Sequence, residues 1–386
     1  MTHGVLAHHA ETPARIAQLI ASERGAALGH AVKSFALCLQ MRTDLAESIA
    51  DSIRAAELAL RDREPSDAEG AVLAAARSYA DGRPFDALRA LDARLARAPS
   101  DLLVMKLGHA LHFIVGDRSG MRLAIDAAVA AQPDDLTGRG FALGCQAFAR
   151  IESGEIDEGE RVGRRAVDLQ PDDAWGAHAV AHALAARRRP SEGVAWLRRC
   201  MPALVGANNF LGHVAWHEAL FQLALGADDE ALAIYDTRIV THLAGDYRDM
   251  VNAVTLLARL RRRGHDVRDR AARLAAHADA RRGDHGSAFA DLHYLLALAD
   301  HDAVRAREFA TSMRAASEAR RTHEAEVARD VACDLADAIL ALRDGRDAVR
   351  AIEATRARWN RLGGSRIQRE AFDALLAEAR GERGNE

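Results

Sequence analysis

Two pairs of histidines, each spaced four residues apart, are the residues of this sequence best suited to chemistry. His178 and His182 form the first pair, in AWGAHAVAHAL, and His213 and His217 form the second, in NNFLGHVAWHEAL. Residues four apart project from the same face of a helix, so each pair presents two imidazoles side by side. Asn209 lies four residues before His213 and extends the second stripe by one helical turn.

Three interpretations of these histidines are open at the level of sequence. They could be core residues whose ring nitrogens bond to backbone, aspartate or asparagine. They could be recognition groups in a polar ligand pocket. They could also form a metal or catalytic site, because imidazole binds zinc, iron and copper and can act as a general acid or base near neutrality. Neither pair is HExxH, since Ala179 and Val214 occupy the glutamate positions.

The predicted helices that follow offer further polar side chains in register with the histidines. Asp249 or Asp291 could supply a carboxylate ligand to a metal, or could orient a histidine that acts as a general base. We take the four histidines as candidate ligands of a divalent transition metal. The wider candidate ligand-binding set comprises His178, His182, Asn209, His213, His217, Asp249, Asn252, Asp291 and His293.

The elements that carry these residues follow from turn signals that recur along the chain. Glycines that end one helical stretch and precede another stand at Gly82, Gly116, Gly154, Gly226 and Gly264, and Arg188 occupies the same register, so that successive turns are 34 or 38 residues apart. Each interval holds two helices and short turns. One such pair cannot bury its apolar face alone, so neighbouring pairs must stack. The segment LGADDEALAIYD is the clearest copy of the tetratricopeptide-repeat pattern.

The sequence therefore predicts an all-α fold, a tetratricopeptide-like α–α superhelix (solenoid) with capping helices at both ends. Alanine, leucine, arginine and glutamate recur at helical spacing, without the period-two alternation of strands. We expect an N-terminal cap of two or three helices over 1–65, the helix-pair array over 66–300, and C-terminal helical repeats and a cap over 301–386. On such a superhelix, the histidines are predicted to line the concave groove.

Composition argues against several classes of partner. The chain has 52 basic and 56 acidic residues among 386, a net charge of −4, so no nucleic-acid partner is expected. No 18-residue apolar run or secretory signal pattern appears, so we expect no membrane partner. Four widely spaced cysteines are typical of reduced thiols in a cytoplasmic protein. Neither a GxSxG elbow nor a P-loop is present.

Several segments resemble the tetratricopeptide repeat protein 38 family: DDAWGAHAVAHAL, NNFLGHVAWHEALFQLALG, MVNAVTLLARLRRRGHDV, FADLHYLLALA and LGGSRIQREAF. The resemblance covers about residues 75–380, and its most specific parts are the HxxxH pairs and the GGS-x-x-QR segment at 363–369. It implies a tetratricopeptide-like helical fold and an unassigned biochemical role. The residues that match the family's polar motif positions, and whose importance the resemblance implies, are His178, His182, His213, His217, Asp249, Asn252, Asp291 and His293.

These observations favour a protein that binds a small molecule or a peptide in a histidine-lined concave pocket. The alternative is an enzyme that uses the four histidines as a metal site or as general acid and base. A groove open to solvent would favour binding, whereas a polar cavity sealed by the terminal helices would favour catalysis, because buried polar groups need partners. The sequence leaves the oligomeric state open.

Overall fold

The computed structural model describes residues 1–22, 25–243 and 245–382, and helices joined by turns make up its regular secondary structure. No strand occurs within these ranges, and an isolated antiparallel bridge joins His9 and Ala207. The predicted all-α class is confirmed. In the same ranges, no helix combines the length and apolarity that crossing a bilayer requires.

The chain divides into two compact units, which are described separately. Unit 1 comprises Met1–Gln40 and Asp44–Phe221, and unit 2 comprises Met41–Thr43 and Gln222–Glu386. The helices that begin in unit 1 are α1 (Thr2–Leu6), α2 (Thr12–Ile20), α3 (Ala26–Cys38), α4 (Ala46–Ala59), α5 (Asp67–Ala80), α6 (Pro84–Arg97), α7 (Leu102–Ile114), α8 (Arg118–Ala131), α9 (Arg139–Glu152), α10 (Ile156–Leu169), α11 (Ala174–Ala186), α12 (Pro190–Cys200) and α13 (Phe210–Ala224).

Helix pairing in unit 1 fits a helical repeat. From α5 to α12, each helix contacts the next, and α9 also contacts both α7 and α11. Contact between alternate helices is what stacked pairs require, because each pair covers an apolar face of its neighbour. Proline occupies the first turn of α6 and of α12, where its missing N–H costs nothing.

The N-terminal segment begins with more helices than the sequence predicts. Among the residues described before position 65 there are four α-helices, where two or three were expected. The difference arises at His8, whose φ of 54° ends α1 and separates it from α2. A capping box begins α5: Ser66 accepts from the Glu69 N–H, and Glu69 accepts from the Ser66 N–H.

The recurring turn positions share one backbone conformation. Gly82, Gly116, Gly154, Gly226 and Gly264 have φ between 72° and 94°. Arg188 also has a positive φ, of 53°. The left-handed region suits glycine at a helix C-terminus and is unfavourable for residues with a Cβ. The predicted register of turns is therefore confirmed, including the position where arginine replaces glycine.

Unit 2 continues with helices of more varied length. They are α14 (Asp228–Ile234), α15 (Tyr247–Arg262), α16 (Arg268–Asp279), α17 (Ala288–Ala299), α18 (Ala303–Ala319), α19 (His323–Val327), α20 (Cys333–Arg343), α21 (Val349–Arg356) and α22 (Arg366–Ala379). Turns of π-helix at Tyr235–Ile239 and Ala328–Ala332 follow α14 and α19. Turns with positive-φ glycines lie at Gly345 and at Gly363–Gly364.

The GGS-x-x-QR segment builds the start of α22. Ser365 and Gln368 form a capping box, and the Arg369 guanidinium donates to the carbonyl oxygens of Gly363 and Gly364. A Cβ at Gly364 would collide with the ring of Phe289 on α17. The glycines thus allow a left-handed turn and a close approach of the backbone to α17, both of which a side chain would prevent.

Candidate metal centre

Four histidines from two helices converge in unit 1. His178 and His182 lie on α11, and His213 and His217 lie on α13. The Nε2 atom of His178 is 2.8 Å from Nε2 of His182 and 2.9 Å from Nε2 of His213. One ring nitrogen from each of the four lies within 4.8 Å of the others. We call this group the four-histidine cluster.

The sequence of α11 explains why its histidines are so deeply placed. One side of α11 packs into a buried apolar cluster, to which it contributes Ala177, Val180, Ala181 and Leu184. The side of α11 that carries Gly176 approaches α9 so closely that a Cβ at Gly144 would lie 3.0 Å from the Cα of Gly176. Small residues therefore allow the helices to approach, and the histidines beside them become buried.

Three of the four imidazoles are withdrawn from water. His178, His182 and His217 are 1–2% exposed, whereas His213 is partly exposed. Burial lowers the pKa of His178 and of His217 well below the usual value, and the neighbouring histidines lower it further. These rings are therefore neutral, because desolvation disfavours the imidazolium.

The hydrogen-bonding capacity of the cluster is not met by the protein alone. His178 Nε2 faces two other Nε2 atoms, but one ring nitrogen carries either one proton or one lone pair, so it cannot bond well with both. His217 Nε2 and His178 Nδ1 are buried and have no hydrogen-bond partner among the described residues. The interpretation as satisfied core histidines does not account for these atoms, since buried polar groups are normally paired.

Aromatic rings enclose the cluster. Phe148 stacks on His178 at a centroid distance of 5.4 Å, and Trp216 stacks on His213 at 5.3 Å. Trp175 and Phe210 lie 5.0 and 5.3 Å from the His178 ring. Both tryptophans are buried. An apolar shell of this kind limits access of water and lowers the local dielectric around a metal.

A carboxylate that the sequence did not indicate lies beside the cluster. Glu152, the last residue of α9, places Oε1 3.4 Å from Nδ1 of His182, and its side chain is 4% exposed. A carboxylate next to the non-ligating nitrogen of a histidine is a common arrangement around metals, where it fixes the tautomer. Glu152 lies two residues before the turn at Gly154, and this register is the signal that could have revealed it.

The other candidate residues have different surroundings. Asn209 is partly buried just before α13, where its carbonyl accepts the Gly212 N–H. Asp249 and Asn252 are buried on α15 of unit 2. On α17, Asp291 bonds to His285, and His293 Nδ1 donates to the Phe289 carbonyl. Among the described residues, the group of side chains that could together hold a metal ion is the four-histidine cluster.

Comparison with known proteins gives no assignment for this site: no family model matches the chain, and no solved structure matches it. What the site can bind therefore has to follow from the geometry of the four histidines and of Glu152.

Proposed function

We propose that this protein binds a divalent transition-metal ion through His178, His182, His213 and His217. The observation that carries the proposal is the convergence of four imidazole nitrogens within 4.8 Å of one another. Zinc and copper are suitable ions, because both accept imidazole ligands. Glu152 would hold the His182 ring and offset part of the charge of the ion.

The spacing of the nitrogens supports a metal in preference to an organic ligand between the rings. Around a tetrahedral ion with bonds of about 2.05 Å, neighbouring nitrogens are about 3.3 Å apart. The separations here begin at 2.8 Å and reach at most 4.8 Å, so small side-chain movements would complete the coordination. The four imidazole rings are in direct contact, so the space between them is too small for an organic molecule.

Four protein ligands are typical of a site that stabilises the fold, whereas a catalytic site keeps one position open. We therefore infer that the metal links α11 to α13. A metal-assisted enzyme is the second candidate, and the partial exposure of His213 favours it. Dissociation of His213 would open a coordination position, which water or a small-molecule or peptide partner from solvent could then occupy.

We further propose a tetratricopeptide-like solenoid of the tetratricopeptide repeat protein 38 family as the framework of the site. The left-handed turns at repeat intervals and the contacts between alternate helices of unit 1 support it. The four cysteines are free and buried, which supports our expectation of a reducing, cytoplasmic environment.

Metal content of the purified, untagged protein tests the proposal. Inductively coupled plasma mass spectrometry should find about one transition-metal ion per chain, and His178→Ala/His213→Ala should lose it. The matched control is His277→Ala/His301→Ala, which removes two exposed imidazoles and should retain the metal. Circular dichroism confirms that both variants are folded. Equal metal content in the two folded variants, or no uptake by wild type from zinc-supplemented buffer, would refute the proposal.

A further inference from the structure

We infer that Ser312, His285 and Asp291 of unit 2 form a second site, a nucleophile–base–carboxylate triad suited to acyl transfer. His285 Nε2 lies 2.9 Å from the Ser312 hydroxyl, and His285 Nδ1 lies 3.1 Å from Oδ2 of Asp291. A hydroxyl within hydrogen-bond reach of a base, which a third group orients in turn, is the general signature of an activated nucleophile. The triad shares no residue with the metal site proposed for unit 1.

Three separate elements supply the triad. Ser312 lies on α18, His285 lies in the segment between α16 and α17, and Asp291 lies in the first turn of α17. The side chains of His285 and Asp291 are 4% exposed, whereas Ser312 is exposed. The base and its carboxylate are thus shielded from water, and the nucleophilic oxygen remains accessible to a substrate.

The backbone at His285 is held in an uncommon conformation. Its φ is 42°, in the left-handed region that residues with a Cβ rarely adopt. Arg320 donates to the carbonyl oxygens of Asp284 and His285, at 3.0 and 2.8 Å, and Thr43 donates its hydroxyl to Asp284 Oδ1 at 2.7 Å. Strained residues fixed by surrounding bonds occur preferentially at functional sites. Here the bonds aim the imidazole at Ser312.

The geometry defines the proton path. With Nδ1–H donated to Asp291, Nε2 of His285 accepts the Ser312 O–H. When Oγ of Ser312 attacks the carbonyl carbon of an ester, its proton passes to Nε2. The bond from the carbonyl carbon to the leaving oxygen then breaks, and the proton moves from Nε2 to that oxygen. Water, deprotonated by His285, hydrolyses the acyl-serine, releases the acid and restores Ser312.

The position of Ser312 limits the substrate class. It lies in the interior of α18, so its N–H belongs to the helical hydrogen-bond ladder and cannot contribute to an oxyanion hole. Substrates whose leaving group departs without strong stabilisation of an oxyanion are therefore favoured. We assign the site to aryl esters and thioesters, which have such leaving groups.

Covalent labelling of the full chain with a fluorophosphonate tests the triad. Peptide mass spectrometry should place the label on Ser312, and Ser312→Ala should abolish labelling. His285→Ala should slow labelling at least tenfold. The matched control is Thr311→Ala. The Thr311 hydroxyl donates to the Arg307 carbonyl instead of to a histidine, so this variant should be labelled at the wild-type rate. Label on another residue, or an unchanged rate in His285→Ala, would overturn the inference.

Asp291 is a positioning residue, and its test separates orientation from folding. Asp291→Asn should slow labelling while the circular dichroism spectrum is unchanged, and Asp291→Glu should restore part of the rate. Equal rates in wild type and folded Asp291→Asn would remove the carboxylate from the triad. His178→Ala/His213→Ala should label normally, so failure of the metal site and failure of the triad are distinguishable.

Discussion

His178 and His213 are 35 residues apart in the sequence, yet their Nε2 atoms lie 2.9 Å apart. The contact joins α11 to α13, two helices that also carry the second histidine of each pair. A metal bound to both pairs would hold these helices together in the folded chain, whereas the unfolded chain would present the pairs far apart. Binding of such an ion would therefore be coupled to folding at this point.

Zinc should stabilise the metal-free wild-type protein against thermal unfolding. A ligand that binds only the native state contributes about 4 kcal/mol when its free concentration is about a thousand times Kd. We expect the unfolding midpoint, followed by circular dichroism, to rise by several degrees with zinc and to fall again with excess chelator. His178→Ala/His213→Ala should show no such change. An equal zinc response in this variant would mean that the ion binds elsewhere.

Glu152→Gln should weaken metal binding without abolishing it. The Glu152 carboxylate lies 3.4 Å from His182 Nδ1, and loss of such an outer partner costs about 10- to 100-fold in metal affinity. Competition against a chromophoric chelator measures the dissociation constant. Glu47→Gln changes an exposed glutamate on α4 and should leave the affinity unchanged. Wild-type affinity in Glu152→Gln would show that the carboxylate does not support the site.

Much of the framework could be predicted from local sequence, because helix periodicity and glycine turns are local signals. The register of turns was correct even at Arg188, where glycine is absent. The predicted number of N-terminal helices was wrong, because α1 and α2 are separated by the left-handed conformation of His8, which composition does not indicate. Whether the framework is a solenoid stays a prediction.

The candidate site was predictable only in part. Spacing within α11 and within α13 placed each histidine pair on one helix face, but their convergence depends on how the two helices pack. Glu152 and the stacking ring of Phe148 come from α9, and spacing within α11 or α13 contains no information about them. His285 was missed for a similar reason, since its partner Ser312 follows 27 residues later.

Arg188→Gly should stabilise unit 1. Arg188 has a φ of 53°, and glycine adopts this region without the steric cost that a Cβ incurs there. We expect a net gain of about 0.5–1 kcal/mol in the free energy of unfolding, measured by urea denaturation. This value allows for the entropic cost of glycine, which has more conformational freedom than arginine in the unfolded chain.

Two glycines provide matched comparisons for this change. Gly154 has a φ of 93°, and beyond its two chain neighbours no atom of the described residues lies within 4 Å of the position that a Cβ would take. Gly154→Ala therefore tests backbone strain alone and should destabilise by about 1 kcal/mol. Gly283 has equal space without a positive φ, so Gly283→Ala should be neutral or slightly stabilising. Destabilisation by Arg188→Gly would show that contacts of the arginine side chain stabilise the fold by more than the positive φ destabilises it.

Asp173→Asn should remove a pH dependence of stability. Asp173 is 1% exposed, and burial is the main cause that raises its pKa to about 7. The charge of Asp172 also raises this pKa, whereas the Lys106 cation and the N–H groups at the start of α11 lower it. The carboxyl of the unfolded chain titrates with a pKa of about 3.9. Between pH values near these two pKa values, folding is therefore accompanied by uptake of a proton at Asp173. The contribution of the protonated Asp173 to the free energy of unfolding is fully present below about pH 4 and is lost as pH rises through 7.

Relative to wild type, Asp173→Asn should gain about 2–3 kcal/mol in the free energy of unfolding between about pH 5 and pH 8, because the amide does not ionise. Urea denaturation at unit pH intervals measures the difference, in which contributions from other titrating groups cancel. Asp135→Asn removes an exposed carboxylate and should keep the wild-type slope. Parallel curves for wild type and Asp173→Asn would show that Asp173 is ionised in the folded protein throughout this range.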